Sequence, residues 1–206
     1  MFRNAITLPF RLLGIPVKLD RSFLLILPLL AWLIGSQVPG YAALLRGAGL
    51  EVDVRALQSG LTPFLLGLGS ALGLFVSVVL HELGHALAAR LYGVRTREIT
   101  LWFLGGVAQF DEMPRGRGAE ALVALAGPLV SFGLAALLWQ TWQRLALPDA
   151  ALFVLSYLSV TNGFLAVFNL LPALPLDGGR ILRSLLALRL EHLQATRLAV
   201  AVSQTI

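Results

Sequence analysis

Residues 62–92 read TPFLLGLGSALGLFVSVVLHELGHALAARLY, and they combine a long apolar run with a cluster of ionisable side chains. The run contains 26 consecutive uncharged residues between Arg55 and Glu82. About 20 residues at roughly 1.5 Å rise each cross the hydrocarbon layer of a bilayer. The stretch therefore predicts a membrane-spanning helix that begins near Thr62 and continues past His81 to about Tyr92.

Three further uncharged runs have similar lengths. They contain 24, 23 and 27 residues and lie between Arg21 and Arg46, between Glu120 and Arg144, and between Asp149 and Asp177. Only 13% of the 206 residues are charged, against about 25% in an ordinary soluble domain. This pattern excludes a soluble globular protein and a disordered chain, and the absence of cysteine excludes a disulfide-stapled domain. The sequence therefore predicts a polytopic membrane protein.

The helical segments follow from these runs. Spans are predicted at about 22–38, 62–92, 118–143 and 150–171, and a shorter helix at 179–190. A further apolar stretch starts at Leu198–Val202 and is too short to cross a bilayer. We therefore expect an all-α polytopic fold of about six transmembrane helices, the last one incomplete, with residues 1–206 forming a single core.

Two segments have the composition of strands. Proline and alternation in residues 15–19 favour an edge strand. Residues 94–111 are rich in β-branched and aromatic side chains around Gly105 and Gly106, which predicts two strands of a small sheet. The second strand is nearly all apolar, so it is expected to dip into the membrane where protein or water satisfies its backbone.

The basic residues predict the orientation in the cell membrane. They flank the hydrophobic runs and form no single patch, so the net charge of +5 indicates the positive-inside rule and a lipid partner, not nucleic acid. The N-terminus and the 90–118 loop, with the active-site side, are predicted to be cytoplasmic. The basic residues on this side are Arg3, Arg11, Lys18, Arg21, Arg90, Arg95, Arg97, Arg115 and Arg117.

Residues 81–85, HELGH, indicate a metal centre. Two histidines four positions apart lie on one face of a helix, so His81 and His85 can reach one zinc ion while Glu82 activates water beside it. A helix that merely carries polar residues is the alternative. It is disfavoured here because ionisable side chains next to 26 uncharged residues are costly in a membrane.

A catalytic zinc usually has three protein ligands and an open fourth position. His192 is one candidate for the third, although a solvated loop histidine is the commoner role. Asp177 is favoured because it ends the 27-residue uncharged run and precedes Gly178-Gly179, which allow a tight turn. An N-cap of the following helix is its alternative role.

Residues 169–180, NLLPALPLDGGR, together with HELGH, resemble the site-2 protease family of intramembrane zinc metalloproteases. Residues 104–108, LGGVA, are similar to the Gly-Gly strand of that family. Residues 126–131, AGPLVS, are similar to its Ala-Gly-Pro helix, although many relatives have Asn where this chain has Ser131. The resemblance extends from about Gly14 to the end of the chain, and it is closest to prokaryotic members with a six-span core.

The resemblance implies one zinc ion held by His81, His85 and Asp177. Glu82 would be the base, and Asn169 would orient substrate or stabilise the oxyanion. Asn162, seven residues earlier on the same helical face, would assist substrate binding or instead form an interhelical hydrogen bond. The strand with Gly105 and Gly106 would hold an unwound substrate segment by β-addition.

The implied substrate is a single-span membrane protein, such as a tethered transcription factor or an anti-sigma factor, cut within or near its transmembrane helix. Many of these relatives carry a C-terminal pair of nucleotide-sensing CBS domains, which would be absent from residues 1–206. Two other functions remain open at this stage: a metal-ion transporter or channel, and a catalytically silent scaffold that binds membrane helices.

Overall fold

A computed structural model describes residues 5–50, 52–103, 105–112 and 118–204. Of the residues used above, Arg3, Leu104, Arg115 and Arg117 lie outside these ranges. The strands are β1 (Ile6–Leu12), β2 (Ile15–Leu19), β3 (Thr96–Trp102) and β4 (Gly105–Phe110). The helices are α1 (Ser22–Ser36), α2 (Val38–Gly47), α3 (Val54–Leu57), α4 (Thr62–Leu91), α5 (Ala119–Arg144), α6 (Asp149–Asn169), α7 (Asp177–Leu186) and α8 (His192–Ser203).

The prediction of a helical multi-pass membrane protein with a small sheet is confirmed. Among the described residues, α4, α5 and α6 are each long and apolar enough to cross a bilayer. A fourth span results if α1 and α2, which meet at a bend of 49°, form one broken span. The expected fifth and sixth segments are α7 and α8, but with 10 and 12 residues each is shorter than the roughly 20 that a straight span needs.

The orientation in the membrane rests partly on Arg3, Arg115 and Arg117, which lie outside the described residues, and it stays a prediction. The end of the first span differs from the expectation. Pro39, which follows the predicted end of the span at residue 38, lies in the first turn of α2, where the missing N–H of proline has no intrahelical partner to lose. The chain therefore bends at Gln37 and continues as helix.

The four strands form one sheet in the order β1-β2-β3-β4. Strand β2 pairs antiparallel with β1 and parallel with β3, and β3 pairs antiparallel with β4. Residues 15–19 are a strand as predicted, but the edge position was wrong because β1, which was not predicted, covers that side. Pro16 is tolerated there because the pairing of β2 with β3 begins only at Val17.

The turn between β1 and β2 explains why the hairpin forms. Leu13 and Gly14 both have positive φ, at 50° and 87°. Two positive φ angles are typical of a tight hairpin turn whose twist matches that of the flanking strands. Leucine is unusual in this conformation, so the sequence signal for the turn was Gly14 alone, and β1 went unrecognised.

Helix α4 is the centre of the bundle, with α1, α5 and α6 packed around it and β4 lying across its C-terminal half. The closest approach is to α1. A Cβ atom added to Gly67 would lie 1.9 Å from the carbonyl oxygen of Ala31, and one added to Gly35 would lie 2.6 Å from that of Pro63. Small residues allow this backbone contact, which drives helix association where lipid gives no hydrophobic preference.

Gly67→Ala should therefore destabilise the bundle. The added methyl has no room against α1, and such overpacking costs about 1–3 kcal/mol of unfolding free energy. Gly69→Ala is the matched control on the same helix, because its Cβ would meet only Val154 Cγ2 at 3.9 Å. Thermal unfolding in detergent measures both variants, and equal midpoints would contradict the close α1–α4 contact.

Candidate metal centre

Helix α4 presents His81 and His85 one turn apart on a buried face, as their spacing predicts. The two residues are 4% and 3% exposed, so neither is a surface histidine. Their Nε2 atoms lie 3.2 Å from each other. Two imidazoles this close together inside a membrane bundle must be held by other contacts. The Nδ1 atoms of the two rings make some of these contacts.

The Nδ1 atoms of both rings have partners on α5. His85 Nδ1 lies 2.8 Å from the carbonyl oxygen of Val123, and His81 Nδ1 lies 2.9 Å from Ser131 Oγ. A carbonyl only accepts, so His85 carries a proton on Nδ1, and the Ser131 hydroxyl can accept from His81 in the same way. In the neutral rings this leaves both Nε2 lone pairs facing inward, which is the tautomer that a metal ligand requires.

Asp177 supplies the third inward-facing atom. Its Oδ2 lies 3.1 Å from His81 Nε2 and 3.2 Å from His85 Nε2. Asp177 is the first residue of α7, and the N-cap is Leu176, so the alternative role of Asp177 as a helix cap is not observed.

The two glycines after Asp177 let α7 begin close to the preceding loop. A Cβ atom on Gly178 would lie 2.2 Å from the carbonyl oxygen of Leu170, and one on Gly179 would lie 2.5 Å from the backbone of Ala173. Any side chain at either position would push α7 away from the loop. The Gly-Gly pair therefore fixes the position from which Asp177 reaches the histidines.

The three ligand atoms have the spacing of a metal site. Ligands at about 2.0–2.1 Å from a tetrahedral zinc ion lie about 3.3 Å from each other, close to the 3.1–3.2 Å found here. The group is buried, so the negative carboxylate and the two lone pairs face one another with little water to separate them. This group could hold one metal ion. The side chain of His192 lies outside the described residues.

Gly127 makes room for the two imidazoles, a role that the sequence did not reveal. A Cβ atom added there would lie 2.3 Å from His85 Nε2 and 2.6 Å from His81 Nε2. The sequence identified this position only as part of the Ala-Gly-Pro motif of the family. Val123 gave no signal at all, because its contribution is a backbone carbonyl.

A charged network ties α7 to the first turn of α5. Arg183 Nη2 and Glu120 Oε1 form an ion pair, Arg180 Nε lies 3.8 Å from the same oxygen, and Arg180 Nη1 lies 3.8 Å from Asp177 Oδ1. The backbone N–H of Ala121 also donates to Ser184 Oγ at 3.2 Å. These contacts hold the helix that carries Asp177 against the helix that carries the partners of the histidines.

A cavity of about 350 Å³ opens beside the three ligand atoms. Glu82 lies on its wall, and Glu82 Oε2 accepts a hydrogen bond of 2.9 Å from the backbone N–H of Ala108 in β4. The residues lining it are Val78, His81, Glu82, His85, Gly105, Gly106, Val107, Ala108, Phe110, Leu165, Asn169, Pro175, Leu176, Asp177 and Arg180. The sequence-predicted residues thus meet in one place, with one exception.

The exception is Asn162, which is fully buried and does not line the cavity. Its Nδ2 donates to Ser77 Oγ at 2.9 Å and to the carbonyl of Leu158 at 2.8 Å. This is the interhelical hydrogen bond that the sequence left open as its alternative role. Asn169 does line the cavity, and its Nδ2 uses one hydrogen on the carbonyl of Leu165 at 2.9 Å.

Gly127→Ala should abolish metal binding. The methyl would occupy the space of both Nε2 atoms, so the rings must rotate away from Asp177. Zinc content of the purified protein, measured by atomic emission, should fall from one ion per chain to nearly none. Gly133→Ala on the same helix is the control, since no atom lies within 4 Å of its added Cβ. Full zinc content in Gly127→Ala would contradict the geometry.

Comparisons with known proteins identify the family of this chain. The chain matches the profile of peptidase family M50 over residues 69–148 and 143–206. It is 35% identical to a zinc metalloprotease of Methanocaldococcus jannaschii over 96% of this chain and 50% of that protein. It is 36% identical to the Rip3 protein of Mycobacterium tuberculosis over 89% of this chain and 44% of that protein. The chain thus spans about half the length of these curated relatives.

A solved structure shows the same fold. The site-2 protease from Methanocaldococcus jannaschii superposes with a TM-score of 0.64 at 33% identity, covering 98% of this chain and 80% of that chain. The sequence resemblance to site-2 proteases is therefore confirmed by profile, sequence and structure together. This chain belongs to peptidase family M50, the family of the site-2 proteases, and is a multi-pass membrane protein.

Proposed function

We propose that the chain is the catalytic core of an intramembrane zinc metalloendopeptidase. The observation that carries the proposal is the meeting of three buried ligand atoms and a cavity-lining glutamate at one point between membrane-spanning helices. Membership of a peptidase family and the similarity to a zinc metalloprotease support it.

The zinc ligands in this proposal are His81, His85 and Asp177. Zinc, when bound, supplies a Lewis acid that polarises the scissile carbonyl and acidifies water. The chain contributes the neutral imidazoles, whose Nδ1 protons are held on α5 by Val123 and Ser131. Such outer contacts fix the ring orientation of metal-ligating histidines.

Glu82 is the general base. It follows His81 directly, and the N–H of Ala108 holds its carboxylate in the cavity, within the wall that contains the ligand atoms. Glu82 takes one proton from the attacking water as the new C–O bond forms. It then gives that proton to the leaving amine as the C–N bond breaks, so one water molecule is consumed for each peptide bond.

Asn169 is the second catalytic group. An amide NH₂ has two hydrogens, and Asn169 uses one of them on the carbonyl of Leu165. The other is available to the cavity. It would orient the substrate carbonyl or donate to the oxygen that becomes negative as water attacks.

Strand β4 is the substrate-binding edge. Among the described strands it is the last of the sheet, so its outer side has no neighbouring strand, and Gly105 and Gly106 line the cavity. The N–H of Ala108 points to this outer side, where Glu82 now accepts it. An unwound substrate segment added there would place its peptide bonds next to Glu82 and the ligand atoms.

The substrate class that the family resemblance implies is compatible with this location. A site between membrane helices suits a single-span membrane protein, such as a tethered transcription factor or an anti-sigma factor, cut within or near its transmembrane helix. The active-site end of α4 is cytoplasmic in this proposal, as the arginines that follow it indicate. Residues 1–206 form one core, and CBS domains would belong to a longer chain.

Glu82→Gln should retain zinc and lose cleavage. The amide cannot take a proton, so turnover of a membrane-spanning peptide should fall by about 10²–10⁴-fold while zinc content stays at one ion per chain. The assay uses protein and peptide reconstituted together in vesicles, with cleavage followed by mass spectrometry. Glu191→Gln, which removes the same charge from an exposed position outside the cavity wall, serves as the control for charge.

The same vesicles separate the alternatives. Zinc flux across the vesicle membrane without cleavage would indicate a transporter, and peptide binding without cleavage by the zinc-loaded wild type would indicate a scaffold. Cleavage that persists in Glu82→Gln would exclude Glu82 as the base.

Gly106→Val tests the substrate edge. A Cβ atom there would lie 2.8 Å from both Glu82 Cγ and Val78 Cγ1, so β4 must move away from α4. Cleavage should fall by at least about tenfold while the zinc content is unchanged, since no ligand atom is touched. Gly105→Val meets no atom within 4 Å, but the φ of Gly105 is 136°, which strains a valine, so this variant disturbs the backbone of the substrate edge itself. Unchanged kinetics in both variants would contradict β-addition at this edge.

A further inference from the structure

A second cavity lies at the C-terminal end of α4, away from the metal centre. It has a volume of about 270 Å³ and lies between the turn of the β1–β2 hairpin and the last turns of α4. The residues that line it are Leu13, Gly14, Ile15, Ala86, Leu87, Arg90, Val94, Arg95 and Thr96. It shares no lining residue with the cavity of the metal centre.

Two guanidinium groups line this cavity without a carboxylate. Within the described part of the chain, the side chains of Arg90 and Arg95 form no ion pair or hydrogen bond. Arg95 also borders a smaller cavity that is lined by Asp111 and Glu112, and the Asp111 carboxylate pairs with Arg97. Two positive charges on one cavity wall repel each other, and an anion between them removes that repulsion.

A third polar group lacks a partner at the same place. The hydroxyl oxygen of Thr96 is buried and has no hydrogen-bond partner among the described residues. An unsatisfied buried hydroxyl costs free energy unless a ligand or water meets it. Thr96 is also a lining residue of the cavity.

The apolar surroundings place this cavity at the boundary of the membrane. Helix α4 crosses the bilayer and ends at Leu91, which is 86% exposed. Leu13 at the hairpin turn is 61% exposed. Tyr92, which follows Leu91 in the sequence, is also exposed. Exposed leucines with a tyrosine and arginines at the end of a span are typical of the lipid–water interface.

We propose that this cavity binds the headgroup of an anionic phospholipid. The phosphate lies between the guanidinium groups of Arg90 and Arg95, and the acyl chains run along Leu13, Leu87 and Leu91. Arginine suits this role because its planar fork donates two hydrogen bonds to a phosphate. The apolar rim favours a lipid over a soluble phosphate compound, since only a lipid covers the exposed leucines.

The experiment measures lipid retention by the full chain. Wild type and the double variant Arg90→Gln/Arg95→Gln are delipidated in detergent and titrated with phosphatidylglycerol or phosphatidylcholine, and bound lipids are counted by native mass spectrometry. We expect wild type to prefer phosphatidylglycerol. The double variant should lose about 30-fold in affinity for it, because each arginine near an anionic lipid contributes about fivefold.

Two controls make the result specific. Arg55→Gln/Arg189→Gln removes the same charge from exposed positions outside the cavity and should retain the wild-type preference. Leu13→Ser should weaken phosphatidylglycerol binding. Inorganic phosphate should not displace the bound lipid. Equal binding of both lipids by wild type, equal loss in the control variant, or displacement of the lipid by inorganic phosphate would each overturn the proposal. These measurements need neither zinc nor cleavage, so they are independent of the proposed function.

Discussion

Three electron-rich atoms meet inside a membrane bundle, and the rest of the fold is arranged around them. The Nε2 atoms of His81 and His85 and the Oδ2 atom of Asp177 lie within 3.2 Å of one another, with both rings and the carboxylate buried. In a medium of low dielectric such an arrangement is unfavourable without a cation between the atoms. A positive ion turns this repulsion into coordination, which is why the metal centre accounts for the geometry.

The surrounding helices restrain these atoms from several directions. Helix α5 accepts the Nδ1 protons and, through Gly127, leaves space for the rings. Helix α7 carries Asp177 and is held to α5 by Glu120 and its arginine partners. These contacts leave the ligand atoms few degrees of freedom.

The two edges of the sheet contribute to two different sites. Strand β4 lies against α4, and its backbone holds the Glu82 carboxylate in the cavity. At the opposite edge the β1–β2 hairpin turns beside the end of α4, where Arg90 and Arg95 form the proposed lipid pocket. Both features depend on α4, whose final turns extend beyond the apolar run that crosses the bilayer.

Much of this organisation is encoded locally in the sequence. The uncharged runs predict the spans because hydrophobic length alone determines whether a helix crosses a bilayer, and α4 matches its predicted range within one residue. The spacing of His81, Glu82 and His85 predicts a metal-binding helix face because helical periodicity is a local property. The end of the 27-residue uncharged run indicated Asp177, and the family resemblance added Asn169; both lie far along the chain from that helix.

Only the tertiary structure decided the contacts between distant segments. It showed β2 inside the sheet because β1 pairs along its outer side, and it showed Asn162 bonded to Ser77 rather than facing the cavity. It also revealed Gly127 and the carbonyl of Val123 beside the histidines. A missing side chain and a backbone oxygen leave no chemical signature in a sequence, and their roles exist only once α5 packs against α4.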